Sequence, residues 1–323
     1  MICLELWTEK KTALGEDAPP TLETADDQTA LMAVYDGLGG AGSTLYGVGE
    51  QGKFSGAYLG ARCAKAVVEN FYRLWDNAGE QTFAAGLEEA LKFSFIEYVK
   101  ELQVPISRLK SKLLKTLPTT LAGILVEEKH LPFLKATAFW AGDSRCYMLE
   151  KDGLCQLSTD DLNGSPDALE NLSLDATITN CIHAEGKFSI DYLPLLINLP
   201  VMFLVATDGC FGYVETPIHF EYILLKTLME SHQDTEDWTQ RLTEQLLAIT
   251  GDDMSLALMA WGFENLEDIK RHYYPRYVWL KEKFIAVWEH HKQQPAHEEN
   301  TEMRETLRQH LWDKYKTDYY GYA

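Results

Sequence analysis

Three aspartates stand at the boundaries of short apolar runs. Asp36 and Asp208 closely follow such runs, and Asp252 comes just before one. Apolar runs of this length, bounded by turn residues, are typical of buried strands. Carboxylate and carbonyl oxygens are the ligands that Mg²⁺ and Mn²⁺ prefer, so these acids predict an oxygen-rich divalent metal site. The three runs are Leu31–Tyr35, Val201–Ala206 and Met254–Trp261.

The glycine-rich stretch after Asp36 also permits a second interpretation. Gly37, Gly39 and Gly42 satisfy G-x-G-x-x-G, the dinucleotide-binding fingerprint, in the expected place after a strand. Asp36 would put a negative charge beside the pyrophosphate, however, and no Lys-Ser or Lys-Thr follows to make a P-loop. On this stretch alone a metal site, a nucleotide site and a plain acidic turn remain open.

The composition limits the class of protein. The chain has 323 residues, of which 46% are hydrophobic, enough to bury a substantial core. Its formal net charge of −20 argues against nucleic acid as a partner, because phosphate backbones are bound through lysine and arginine. The six cysteines form no C-x-x-C pair, and we find neither a signal-peptide core nor a membrane-length apolar segment. We therefore expect a cytoplasmic protein with reduced cysteines and no membrane partner.

The remaining patterns predict the elements that position these acids. Ile2–Thr8 alternates as a first strand, and the polar segment Thr21–Gln28 is typical of a hairpin connection. Pro105 begins a basic amphipathic piece that includes Lys115, which we interpret as a surface helix without a site. Apolar stripes at helical spacing predict four further helices, Phe54–Asp76, Gln81–Gln103, Phe220–Met229 and Trp238–Ile249.

From Thr119 to Ser158 the pattern changes to strands that predict an antiparallel meander. Within it, the sequence AGDSR predicts a tight turn that presents another acid, Asp143, with Arg145 as its expected ion-pair partner. The polar residues 159–175 predict a long loop, and such loops are often functional lids. We expect this loop to lie over the site.

The order of these motifs resembles that of the metal-dependent protein phosphatases of the protein phosphatase 2C type. The resemblance covers about residues 2–262 and rests on order and spacing, because each motif alone is short. The motifs are GED at 15–17, VYDGLGG at 34–40, TTLAG at 119–123, AGDSR at 141–145, ATDG at 206–209 and DDMS at 252–255.

The resemblance implies a fold and a ligand set. The fold would be α+β, a four-layer α/β/β/α sandwich of two antiparallel sheets flanked by helices. Two Mn²⁺ or Mg²⁺ ions would be bridged by Asp36, and Asp17 would support the ligands. The remaining implied ligands are Asp208 and Asp252 for one ion, and Glu16 and the Gly37 carbonyl for the other.

The chain departs from the family at the phosphate-binding position. The arginine with which the family holds the substrate phosphate would fall at Thr12. Lys10 and Lys11 lie close by in the sequence, so they are the candidate phosphate-binding residues. The asparagine usual after the last metal aspartate is replaced by Asp253, which we do not expect to be a direct ligand.

A third ion is implied only in part. Asp143 is retained, and by the resemblance it would hold a third ion together with Asp208. The family's acid in the following turn is replaced by Gly212. Because a hard cation loses affinity as anionic ligands are removed, we expect any third ion to bind weakly.

The resemblance ends near residue 263. It implies a catalytic domain over residues 1–263, and residues 264–323 predict a helical C-terminal extension rich in charged and aromatic residues, divided by Pro275 and Pro295. A packed appendage and a docking element for a substrate or partner both remain open for this extension.

Three functions remain under consideration. The first is a metal-dependent serine/threonine phosphatase that hydrolyses phosphomonoesters of a phosphorylated protein substrate through a water activated by two metal ions. The second is a catalytically weak relative that binds phosphoproteins as a scaffold. The third is a nucleotide-binding α/β enzyme, which would need a parallel sheet and a helix directly after Gly42.

Overall fold

The structure is a computed structural model that describes residues 1–25, 29–48, 52–75, 82–102, 114–130, 132–172, 176–232, 234–293 and 298–322. Ten of the twelve strands in the described residues form two five-stranded antiparallel sheets. The first sheet has the order β1-β12-β11-β8-β9, and the second has the order β10-β7-β6-β3-β2. The first comprises β1 (Ile2–Thr8), β12 (Met254–Trp261), β11 (Val201–Ala206), β8 (Arg145–Glu150) and β9 (Gly153–Gln156). The second comprises β10 (Asp191–Asn198), β7 (Phe133–Ala141), β6 (Leu121–His130), β3 (Thr29–Tyr35) and β2 (Ala18–Ala25).

The two sheets pack face to face over an apolar layer. One set of alternate side chains of the central strands enters this layer, for example Met32 of β3, Met148 of β8 and Phe203 of β11, and all three are fully buried. The opposite faces of the same strands are also apolar and are covered by helices. Strands buried on both faces explain why the sequence shows near-continuous apolar runs there rather than alternation.

Two helices cover the outer face of the second sheet. They are α1 (Gly56–Leu74) and α2 (Phe83–Glu101), and each begins at a hydroxyl N-cap, Ser55 and Thr82. Their buried stripes pack against Leu31 and other outward side chains of the sheet. A small hairpin of β4 (Leu45–Gly47) and β5 (Lys53–Ser55) lies between Gly42 and α1 in the chain.

The outer face of the first sheet is covered by the remaining helices, including the C-terminal ones. Their apolar side chains share one core with the sheet. Of the described helices, none is both long and apolar enough to span a membrane. The helices are α3 (Ala168–Asn171), α4 (Asp208–Phe211), α5 (Pro217–Glu230), α6 (Thr235–Leu247), α7 (Leu266–Leu280), a π-helical turn (Lys281–Ile285), α8 (Ala286–Lys292) and α9 (Glu298–Tyr319).

The fold confirms the predicted four-layer sandwich of two antiparallel sheets. The dinucleotide interpretation required a parallel sheet and a helix directly after Gly42. The fold meets neither requirement, because the sheets are antiparallel and a hairpin follows Gly42. The expected meander from Thr119 to Ser158 is wrong in one respect: β6 pairs with β7 and β8 with β9, but the two pairs belong to different sheets.

Other expectations need correction. Thr21–Gln28 is not simply a connection, because β2 runs through Ala25 and pairs with β3. Pro275 lies inside α7 and does not divide the extension, whereas Pro295 lies outside the described residues. Most of the basic piece that Pro105 begins also lies outside them, and its described part begins at residue 114.

Candidate metal centre

The acids predicted at the strand boundaries line one cavity at a shared end of the two sheets. Its volume is about 780 Å³. The glycine turn 39–41 and the segment 176–178, which follows the predicted lid loop, contribute further lining. The carboxylates in the lining are Glu16, Asp17, Asp36, Asp143, Asp208, Asp252 and Asp253.

Asp36 is fixed by main-chain contacts at the end of β3. Its carbonyl oxygen accepts a hydrogen bond from the Thr120 N–H at 2.8 Å and another from the Thr119 hydroxyl at 2.7 Å. Gly37 forms a bridge to Thr119. These bonds tie the turn after β3 to the start of β6, so the Asp36 side chain is held at the cavity.

Asp208 and the loop that carries Asp252 meet at a close backbone contact. Asp208 is the first residue of α4. The next residue, Gly209, lies against the carbonyl oxygen of Asp253, where any Cβ would collide with it. The Thr250 hydroxyl also donates to the Gly209 carbonyl at 2.8 Å. A glycine is therefore required here so that the two acidic loops can approach.

Asp253 organises the loop between β1 and β2. Its carboxylate accepts hydrogen bonds from the main-chain N–H of Lys10 at 2.7 Å and of Glu16 at 2.6 Å. Glu16 also accepts a hydrogen bond from the Ser55 hydroxyl at 2.6 Å. Both oxygens of Asp253 are thus engaged by backbone donors of the β1–β2 loop.

Asp17 is buried behind Asp36. Its carboxylate accepts a hydrogen bond from the Thr207 hydroxyl at 2.8 Å, and that hydroxyl in turn accepts one from the Ser255 N–H at 2.9 Å. This chain of contacts joins the β1–β2 loop to β11 and β12.

Asp143 is presented by a tight turn that the chain fixes on both sides. Gly142 has φ +111°, a conformation that favours glycine, and its N–H donates to Asp161 at 2.8 Å. Arg145 does not pair with Asp143 as expected. It makes a 2.6 Å ion pair with Asp160, and its guanidinium lies 4.2 Å from the centroid of the Phe211 ring.

The crowded carboxyl groups of the cavity have raised pKa values. Burial, followed by the charges of Asp17, Asp208 and Asp143, raises the pKa of Asp36 well above its usual value. Burial and then Asp208 raise the pKa of Asp143 to about 8, and burial and then Asp252 raise that of Asp208 to about 6. The acids repel one another, and divalent cations would relieve this repulsion.

The residues that line the cavity fit divalent cations in their chemistry. The donor set is all oxygen, as Mg²⁺ and Mn²⁺ prefer. One buried oxygen of Asp143, Oδ1, has no hydrogen-bond partner, which is the state expected of a ligand atom. Within the described ranges no three His, Cys, Asp or Glu side chains are gathered closely enough in this structure to hold an ion.

Several solved structures resemble this one. No protein-family model and no curated protein matches the sequence. The serine/threonine phosphatase Stp1 from Staphylococcus aureus matches with a TM-score of 0.59 at 17% identity, over 80% of this chain and 95% of that one. The Mycobacterium tuberculosis phosphatase PstP/Ppp matches with a TM-score of 0.52 at 18% identity, over 80% and 98%.

The catalytic domain of the phosphatase PstP in complex with two manganese ions also matches, with a TM-score of 0.51 at 16% identity, over 79% of this chain and 96% of that chain. This chain therefore has the same fold as these solved phosphatase structures. The likeness confirms the architecture that the motif order implied.

The predicted phosphate-binding residues do not line the cavity in this structure. Neither Lys10 nor Lys11 is among the lining residues, and the Lys10 ammonium donates to the Gly251 carbonyl. The lining instead includes Lys115 and Cys181, which sequence reasoning missed. The only signal for Lys115 was its place four residues before the threonine pair of the TTLAG motif.

Proposed function

We propose that this protein is a metal-dependent phosphoprotein phosphatase that hydrolyses phosphoserine and phosphothreonine. The observation that carries the proposal is the convergence of seven carboxylates on one cavity within a phosphatase fold. The solved PstP complex with two manganese ions supports the same conclusion by likeness of fold.

In this proposal the chain holds two Mn²⁺ or Mg²⁺ ions. Asp36 would serve both ions, Asp208 and Asp252 would hold one, and Glu16 with the Gly37 carbonyl would hold the other. When bound, such a pair acidifies a water and clamps phosphoryl oxygens for in-line attack. Asp17 holds the Asp36 carboxyl in place through its link to β11, and Asp253 holds the Glu16 loop through its two N–H contacts.

Asp143 would contribute to a third, weaker ion. Its unpartnered oxygen supports a role as a ligand. The turn after Asp208 offers little room for the acid that Gly212 replaces, because a Cβ there would lie 2.8 Å from the Asp208 carbonyl oxygen. This close contact gives a physical reason why the chain carries glycine at this position.

We further propose that residues 1–263 form the catalytic unit and that residues 264–323 brace it. Three contacts support this view. Arg276 of α7 and Tyr315 of α9 both bind Glu221 of α5, and Trp312 of α9 donates to Asp167 at 2.9 Å. The described part of the extension thus behaves as a packed appendage.

Hydrolysis of p-nitrophenyl phosphate and of a phosphoserine peptide tests the function. We expect turnover with Mn²⁺ that is lost in excess chelator and reduced by at least about 100-fold in Asp36→Asn, since an amide cannot replace a charge shared by two cations. Asp152→Asn, in an exposed turn remote from the cavity, serves as the matched control.

The same assay distinguishes the scaffold alternative. Full activity in excess chelator, or wild-type turnover in Asp36→Asn, would contradict the metal mechanism. A protein that binds Mn²⁺ and a phosphoserine peptide but hydrolyses neither substrate would support the phosphoprotein-binding scaffold instead.

A further inference from the structure

We infer that Lys115 is the residue that binds the substrate phosphoryl group in this protein. The inference rests on the proposed function. It gives the site a cation for the substrate phosphate, because Thr12 occupies the position of the family's phosphate-binding arginine. Among the described residues that line the cavity, Lys115 is the one cationic side chain beside seven carboxylates.

The backbone of Lys115 is anchored to the glycine turn that follows Asp36. Its N–H donates to the Ala41 carbonyl at 3.0 Å. On the other side, the Thr116 N–H donates to the Glu185 carboxylate at 3.2 Å, and the Ala184 N–H donates to the Thr116 carbonyl at 2.9 Å. The backbone at Lys115 is therefore fixed, while the half-buried Lys115 side chain reaches the cavity.

The Lys115 ammonium contacts a thiol rather than a carboxylate. Its Nζ lies 3.1 Å from the Cys181 Sγ, a weak acceptor. Burial raises the pKa of the Cys181 thiol, so the thiol stays neutral and does not cancel the lysine charge. Within the described ranges no carboxylate forms an ion pair with Lys115 that would have to be broken when an anion arrives.

The other cations near the site already have partners. Arg145 is committed to Asp160, and Arg62 donates to the Gly15 and Glu16 carbonyls from behind the loop. The Lys10 ammonium donates to the carbonyl of Gly251, in the loop between α6 and β12. A phosphate ester that enters so acidic a cavity needs a compensating cation besides the metal ions, and a lysine can serve as a point charge for phosphate.

The test measures binding of inorganic phosphate by calorimetry, with and without Mn²⁺, and then KM and kcat with p-nitrophenyl phosphate. We expect Lys115→Met to weaken phosphate binding and raise KM by roughly 10- to 100-fold, the range for loss of one hydrogen bond to a charged group. Mn²⁺ affinity should stay within about twofold, because Lys115 is not a metal ligand.

Three further variants sharpen the comparison. Lys115→Arg should restore most of the phosphate affinity because it restores the charge, and Lys115→Gln repeats the loss with a polar side chain if the Met variant folds poorly. Lys187→Met, an exposed lysine outside the cavity lining, is the matched control and should not change phosphate affinity.

The outcomes separate this inference from the proposed function. Phosphate affinity within twofold of wild type in both Lys115→Met and Lys115→Gln would overturn the inference, as would a larger loss in Lys11→Met, or no phosphate binding by the wild-type protein in either condition. Phosphate binding that depends on Lys115 in a protein without hydrolytic activity would support the inference and refute the phosphatase proposal.

Discussion

A buried ion pair between the C-terminal extension and the body offers a quantitative test of how the two are joined. Arg276 of α7 donates from Nε to Glu221 at 2.8 Å and from Nη2 at 3.0 Å. Glu221 is fully buried, and Arg276 is 8% exposed. The Tyr315 hydroxyl of α9 donates to the same carboxylate, so Glu221 is the point at which two helices of the extension meet α5.

The perturbation is Arg276→Met, which keeps much of the apolar volume but removes the charge. Removing one partner of a buried pair leaves the other charge uncompensated and costs about 3–5 kcal/mol. For a chain of 323 residues, an unfolding entropy of about 2.1 cal/mol/K per residue converts this to a fall in Tm of roughly 4–7 °C. The double variant Arg276→Met/Glu221→Leu should recover most of the loss, since no buried charge remains.

The assay is denaturant unfolding followed by fluorescence, with a thermal scan for Tm. Arg271→Met is the matched control, because Arg271 lies on the same helix with its side chain 78% exposed and pairs only with Asp268 among the described residues. We expect it to change stability by less than about 0.5 kcal/mol. A loss below about 1 kcal/mol in Arg276→Met, or a double variant less stable than Arg276→Met, would refute the reasoning.

Three further predictions concern the site. Asp253→Asn should retain Mn²⁺ binding in calorimetry far better than Asp252→Asn, because Asp253 bonds backbone N–H groups; equal losses would show that it is a ligand. Asp143→Ala should remove a weak second phase from a Mn²⁺ titration of activity and spare the tight phase; a single unchanged phase would leave Asp143 a turn residue. A chain ending at Phe263 should lose stability, because Glu221 loses its partners, yet its folded fraction should bind Mn²⁺; folded protein without Mn²⁺ binding would contradict this.

Much of the fold was predictable because its strands are short apolar runs with clear ends. The acids at these ends were predictable for the same reason, as Asp36 and Asp208 show. Strand β10 was not predicted, because its outward-facing Tyr192 and Leu196 are exposed apolar residues and Pro194 interrupts the pattern. Periodicity reports burial, so a strand at the edge of a sheet with one uncovered face gives a weak signal.

The site was less predictable where it depends on contacts distant in sequence. The partner of Arg145 is Asp160, fifteen positions away, whereas sequence reasoning assigned the neighbouring acid. Lys115 was assigned to a surface helix because its neighbours form a basic amphipathic pattern. Its main-chain bond to Ala41 places it at the cavity instead, and such a pairing across the fold leaves no trace in local spacing.

The C-terminal extension packs its aromatic side chains against the body of the protein. Trp312, Tyr315 and Tyr319 recur at helical spacing and are buried against the body. The Tyr319 hydroxyl lies 3.5 Å from Arg145, the residue that holds Asp160 beside the Asp143 turn. Helix α9 therefore contacts Arg145, which lies behind the cavity wall that carries Asp143. The extension thus reaches the Asp143 turn through Arg145 and Asp160, although it lies outside the stretch that carries the motifs of the resemblance.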